Sequence, residues 1–151
     1  MATILCVDDE AASILILEDA LQRAGHNTIG VHNVQAALKV LARGGIDLIV
    51  SDYRMPGATG LEFLDFLDRD QLDVPLIMVT GNASIEHAVA SMKAGAIDYI
   101  TKPIRPQQLE LAVDQALEFV RLRKENAQLK EEVTQFRTQR EIIGESQALQ
   151  T

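Results

Sequence analysis

The chain has one cysteine, no long apolar run and a minority of basic side chains, and each shortage excludes something. Cys6 is the single cysteine and lies inside an apolar stretch, so no internal disulfide forms and the thiol is read as a small core residue. No run is long enough to span a bilayer. Residues 1–7 lack the basic start and long apolar stretch of a secretory signal, which gives the expectation of a cytoplasmic protein. His26, His32 and His87 stand apart, without the spacing of a Cys/His zinc set. Lys and Arg number 14 against 22 Asp and Glu, a net charge of −8. The acidic excess falls within residues 1–118, while residues 119–151 are nearly balanced. Phosphate contacts need a basic surface, so the acidic part is not expected to touch nucleic acid directly. Several of its acids are read as solvated helix faces that serve solubility.

What is present alternates. At 151 residues, 47% of them hydrophobic, there is room for one globular domain and an appendage. Short apolar runs at 3–7, 27–31, 46–51, 75–80 and 97–101 read as strands, and amphipathic stretches separate them. Ile14, Leu17, Leu21 and Ala24 recur at helical spacing and stop at Gly25, a suitable C′ residue. Val34, Ala37, Leu38 and Leu41 follow the N-cap Asn33 and end at Gly44-Gly45. Leu61, Leu64 and Leu67 make a third helix after Gly60. Ile85, Ala88, Val89 and Met92 make a fourth, capped by Ser84 and closed by Gly95. The fifth opens at Pro106, a favoured first helical position. Strict β–α alternation with short connections predicts an α/β fold, a doubly wound parallel sheet with helices on both faces.

The strand ends carry the chemistry. The first exits into Asp8-Asp9, the third into Asp52, the fourth into Thr80-Gly81-Asn82 and the fifth into Thr101-Lys102-Pro103. Open α/β sheets bind ligands at this edge. The second strand exits into His32-Asn33, which reads as an ordinary helix cap. Acids at 8 and 9 alone would do no more than favour the positive end of the next helix. Polar groups at four strand ends ask for more. Three carboxylates in one cleft repel one another unless a cation joins them, and a hard oxygen-seeking ion such as Mg²⁺ suits them. Mg²⁺ and the Lys102 ammonium together attract a phosphoryl group. In-line transfer needs a nucleophile, charge neutralisation and a hydrogen-bond donor. Asp52 suits the first role, giving an aspartyl-phosphate, and Mg²⁺, Lys102 and the Thr80 hydroxyl supply the others.

Val7-Asp8-Asp9-Glu10, Asp52 to Gly57 with Gly60, Val79-Thr80-Gly81, and Tyr99-Ile100-Thr101-Lys102-Pro103 resemble the receiver domain of two-component response regulators over about residues 1–120. The resemblance implies the flavodoxin-like (βα)5 fold with strand order 2-1-3-4-5. It also implies a sensor histidine kinase as phosphoryl donor to Asp52. Carried over residue by residue, Asp9 and Asp52 would ligate Mg²⁺ directly, Asp8 through water, and the Arg54 carbonyl would complete the protein ligands. Thr80 would bind the phosphoryl group, Lys102 would pair with it, Lys102-Pro103 would be cis, and Tyr99 would be the aromatic switch. Arg54 and Asn82 fall where receivers vary, positions that bear on phosphoryl lifetime. Outside the constellation the plainer readings win: Met55, Met78 and Met92 as packing residues, and His87 as a surface histidine on a contact face.

From 107 to 143 there is neither proline nor glycine. A heptad frame fits, with Phe119, Asn126, Val133 and Arg140 at a, and Leu122, Leu129, Phe136 and Ile143 at d. In a parallel dimer Glu118, Glu125 and Glu132 at g face Arg123, Lys130 and Arg137 at e, all opposite in sign, and Asn126 at a fixes register. The expectation is a receiver over 1–119, a coiled-coil dimerisation linker over 120–143 that continues the fifth helix, and a further domain beginning at 144. The last part rests on Ile142 to Gln150, which resembles the opening of the AAA+ ATPase domain in sigma-54-dependent activators of the nitrogen-regulator type. The chain is therefore read as a fragment, with the ATPase and DNA-binding parts lying downstream.

Three function classes follow. The first is a signalling switch that is not a turnover enzyme. The second is a Mg²⁺-dependent phosphohydrolase working through an aspartyl-phosphate. Haloacid-dehalogenase-like enzymes place their nucleophile after the first strand with an acid two residues on, whereas Asp52 follows the third and Arg54 holds that second position. The third is a structural dimerisation module with a silent pocket.

Overall fold

A computed structural model describes residues 2–55, 57–81 and 85–122. Residues 1–117 form one compact unit. Its elements run β1 (Thr3–Val7), α1 (Ala11–Arg23), β2 (Asn27–Val31), α2 (Val34–Arg43), β3 (Leu48–Asp52), α3 (Gly60–Arg69), β4 (Leu76–Thr80), α4 (Ile85–Ala94) and β5 (Asp98–Thr101). A fifth helix, α5, opens at residue 106. All strand pairings are parallel and the order is β2-β1-β3-β4-β5, the flavodoxin-like arrangement.

The strands are apolar throughout because both faces are covered, and alternate residues serve different cores. Ile4, Cys6, Leu48, Val50, Ile77 and Val79 join Leu17 and Leu21 of α1 and Leu109 and Val113 of α5. Leu5, Val7, Ile49, Leu76 and Met78 join Val34 and Leu41 of α2 and Phe63, Leu64 and Leu67 of α3. Cys6 is fully buried, and burial pushes its thiol up to about 12, which leaves it an inert packing group.

Several boundaries differ from the sequence reading. β3 starts at Leu48, not 46, because Asp47 is spent on Thr3: its N–H donates to the Thr3 carbonyl and its Oδ2 accepts the Thr3 N–H, both at 2.9 Å. β4 and β5 likewise each start one residue late, at Leu76 and Asp98. Asn33 caps α2 by accepting the Ala36 N–H, and Gly25, Gly44 and Gly95 take positive φ at helix ends. The third helix is capped by Thr59, which forms a reciprocal capping box with Glu62, and Gly60 is its first residue. Phe63 is its largest buried side chain.

The fourth helix departs most. Of the expected inward stripe only Ala88 is buried, with Ser91 beside it, while Ile85, Val89 and Met92 are exposed. Small inward residues seat the helix and turn the large apolar ones outward, so Met92 is not a packing residue whereas Met55 and Met78 are. Ser84 lies outside the described residues.

From residue 118 only 118–122 are described; they are helical. Glu118 pairs with Arg121, and Phe119 and Leu122 are about half exposed. Asn126, Leu129, Val133, Phe136 and the rest of the heptad frame lie outside the described residues.

Candidate functional site at the carboxyl edge of the sheet

Strand geometry brings the predicted residues together. Asp8 follows β1 directly, Asp52 is the last residue of β3, Thr80 the last of β4, and Lys102 follows β5. β1 and β3 are adjacent, as are β3 and β4, so residues far apart in the chain meet at one edge.

Asp8 is nearly fully buried: its N–H donates to the Val31 carbonyl, and its Oδ1 accepts the Glu10 N–H at 2.9 Å. Asp52 is buried and Asp9 exposed. Each of the three offers a carboxylate oxygen within 4.8 Å of the others. Burial pushes the Asp8 carboxyl up to about 6; the Asp52 and Asp9 charges add to the rise, while the Glu10 N–H and Lys102 oppose it. Asp52 is also raised, again chiefly by burial, with the Lys102 ammonium and the Arg54 and Tyr53 N–H groups pulling the other way. Two buried acids held above their ordinary range beside a third carboxylate form a site that favours a bound cation.

Lys102 closes the site from the other side. Its N–H donates to the Thr80 carbonyl at 2.9 Å, and the Lys102-Pro103 bond is cis, as the family resemblance implied. Its Nζ lies 3.4 Å from Asp52 Oδ2, 3.8 Å from Asp8 Oδ2 and 4.0 Å from Glu10 Oε1. The Thr80 hydroxyl is fully buried and makes no hydrogen bond. A buried hydroxyl left unpaired is costly, so this one fits a ligand oxygen that the protein does not itself supply. Gly60 completes the cradle: its N–H donates to the Tyr53 carbonyl at 2.8 Å, and a Cβ there would come within 2.9 Å of the Asp52 carbonyl and into the Met78 side chain.

Residues 4–114 match the response regulator receiver domain. The chain belongs to that family. It is 36% identical over 149 residues to the nitrogen assimilation regulatory protein NtrX of Azorhizobium caulinodans, which covers 97% of this chain and 32% of that protein. It is 39% identical over 109 residues to the phosphate regulon transcriptional regulatory protein PhoB of Pseudomonas aeruginosa, covering 71% of this chain and 48% of that one. Among solved structures, NtrX from Brucella abortus in complex with ATP superposes with a TM-score of 0.81 at 32% identity, over 85% of this chain and 29% of that one. The receiver domain of the same protein gives 0.72 at 32%, over 76% and 98%. The chain thus spans less than half the length of these curated relatives.

Not every expected site residue joins this receiver's cluster. Tyr99 pairs in register with Met78, two residues before Thr80, and is 42% exposed. Arg54 is exposed, and its N–H is what bears on Asp52. Two contacts were not foreseen. Glu10 reaches Lys102, and its position directly after Asp8-Asp9 was a legible signal. The Tyr53 ring stacks on His87, and nothing in the local sequence announces a contact between residues so far apart in the chain.

Proposed function

We propose that this receiver is the phosphorylation switch of a two-component system, with Asp52 as phosphoacceptor for a cognate histidine kinase. The observation that carries the reading is the convergence of Asp8, Asp9 and Asp52 on one point with Lys102 Nζ 3.4 Å from Asp52 Oδ2. Asp9 and Asp52 would hold Mg²⁺ directly, Asp8 through water, with the Arg54 carbonyl as a further ligand. Bound there, the ion neutralises charge on the phosphoryl oxygens. An Asp52 carboxylate oxygen attacks phosphorus, the P–N bond to the kinase imidazole breaks, and that imidazole leaves with the electron pair and takes a proton from water. Lys102 pairs with the transferred group, and the Thr80 hydroxyl donates to one of its oxygens. Drawing Thr80 toward the phosphoryl lets Tyr99 repack and alters the face formed by α4, β5 and α5.

Downstream, the heptads over 120–143 form a parallel dimer through Phe119, Leu122, Asn126, Leu129, Val133 and Phe136, and the phosphorylated pair controls a sigma-54-dependent AAA+ activator with its own DNA-binding domain. Similarity to NtrX and the sequence from 142 to 150 support this. The switch works in the cytoplasm and off the membrane; no helix among the described residues is long and apolar enough to cross one.

Incubation with acetyl phosphate and Mg²⁺ is expected to add one phosphoryl group by intact mass, trapped at Asp52 by borohydride reduction. Asp52→Asn and chelation should each abolish it. Uptake by Asp52→Asn would overturn the assignment, and sustained release of phosphate from an external ester would favour the hydrolase class.

A further inference from the structure

The residue after the phosphoacceptor makes a contact that the chemistry above does not use. The Tyr53 ring lies flat against the His87 imidazole of α4, with centroids 4.1 Å apart and planes 12° from parallel. The Tyr53 backbone is pinned on two sides: its N–H donates to the Val79 carbonyl on β4, and its carbonyl accepts the Gly60 N–H at the start of α3, both at 2.8 Å. Its ring reaches α4. One turn on, the fully buried Ser91 hydroxyl is satisfied within the helix by the His87 carbonyl at 2.7 Å. The buried residues of α4 itself are just Ala88 and Ser91, both small. The flat aromatic contact therefore adds a large side chain to what registers this helix against the site.

We propose that the Tyr53–His87 stack is a positioning contact through which the state of Asp52 reaches α4, an inference that rests on Asp52 being the phosphoacceptor. The Tyr53 and Arg54 N–H groups bear on the Asp52 carboxylate. When one carboxylate oxygen becomes the ester oxygen and new anionic oxygens appear beyond it, the Arg54 N–H faces a different acceptor. Because the Tyr53 backbone is held to Val79 and Gly60, the adjustment falls on a turn of the Tyr53 ring. That ring is in van der Waals contact with His87, so the turn moves the first turns of α4 and the outward apolar residues Ile85, Val89 and Met92 with it. Packed rings pass on such shifts because they do not deform continuously.

The test uses the full chain with acetyl phosphate and Mg²⁺, following phosphoryl uptake by intact mass and the amide resonances of residues 85–94 in the same sample. Wild type and Tyr53→Phe, which keeps the stack, should shift the α4 resonances fully. His87→Ala and Tyr53→Leu should take up phosphoryl to the same extent, yet lose the α4 response, with the equilibrium between its two placements changed by a factor of about two to ten. A full α4 response in both stack-breaking variants overturns the inference. Should Tyr53→Leu fail to fold, His87→Ala carries the test, because only its ring is removed. Failure of the wild type to take up phosphoryl would instead strike the phosphoacceptor assignment, so the two failures are told apart.

Discussion

The floor of the sheet and its carboxyl edge obey opposite rules. On the floor, Phe63, Leu5, Ile49 and Met78 are fully buried within one apolar cluster. A few residues further along the same strands, Asp8, Asp52 and Thr80 are as deeply buried, but two are acids held above their ordinary range and the third is a hydroxyl without a partner. The floor stabilises the fold. The edge costs stability and holds groups ready for ligands, so the same substitution logic should give opposite signs in the two places.

The largest expected effect is on the floor: Phe63→Ala should lower stability by about 3–5 kcal/mol in urea unfolding, through lost burial and the cavity it leaves. At the edge, Asp8→Asn should raise stability near neutral pH by ~1–3 kcal/mol in the absence of divalent cations. Because the Asp8 carboxyl titrates at about 6 when folded and near 3.8 when unfolded, the folded state binds more protons between those values. Wild-type stability attributable to this group therefore falls as pH rises from 3.8 to about 6, and the advantage of Asp8→Asn should shrink to nothing on acidification across that window. Mg²⁺ should raise the wild-type melting temperature and narrow the gap. An Asp8→Asn protein less stable than wild type at pH 8 would break the contrast.

Smaller effects sharpen it. Thr59→Ala removes one half of the α3 capping box and should cost about 1 kcal/mol. Thr80→Val, which deletes an unpaired hydroxyl at constant shape, should be neutral or stabilising by a few tenths of a kcal/mol, while slowing phosphoryl uptake. A loss at Thr80 comparable to that at Thr59 would mean that the hydroxyl already has a partner.

Periodicity and turn chemistry made most of the fold legible. Asn33, Gly25 and Gly44-Gly45 mark helix ends through local backbone demands, and local demands are written locally. The edge was legible for a related reason: strict alternation forces strand ends to one side, so Asp8, Asp52, Thr80 and Lys102 meet without any contact being guessed. The capping box at Thr59 and Glu62 is equally local, a threonine followed three residues later by a glutamate. What could not be read was orientation within α4. Ile85, Val89 and Met92 have the spacing of a buried face, but Ala88 and Ser91 are the residues that α4 buries, and which side faces inward is set by neighbours and not by the helix's own pattern. The stack of Tyr53 on His87 depends on that same placement and was hidden with it.

That seating has a mechanical consequence. A helix studded inward with leucine or phenylalanine cannot slide without pulling its studs from their sockets, and each vacated socket carries a penalty that grows with its volume. α4 rests on a methyl and a hydroxymethyl, and carries its bulk on the outside. Displacing it would vacate little buried volume. Beyond the Tyr53–His87 stack, a modest push at one end would meet little resistance from packing, and would change which hydrocarbon surface the domain shows to its surroundings.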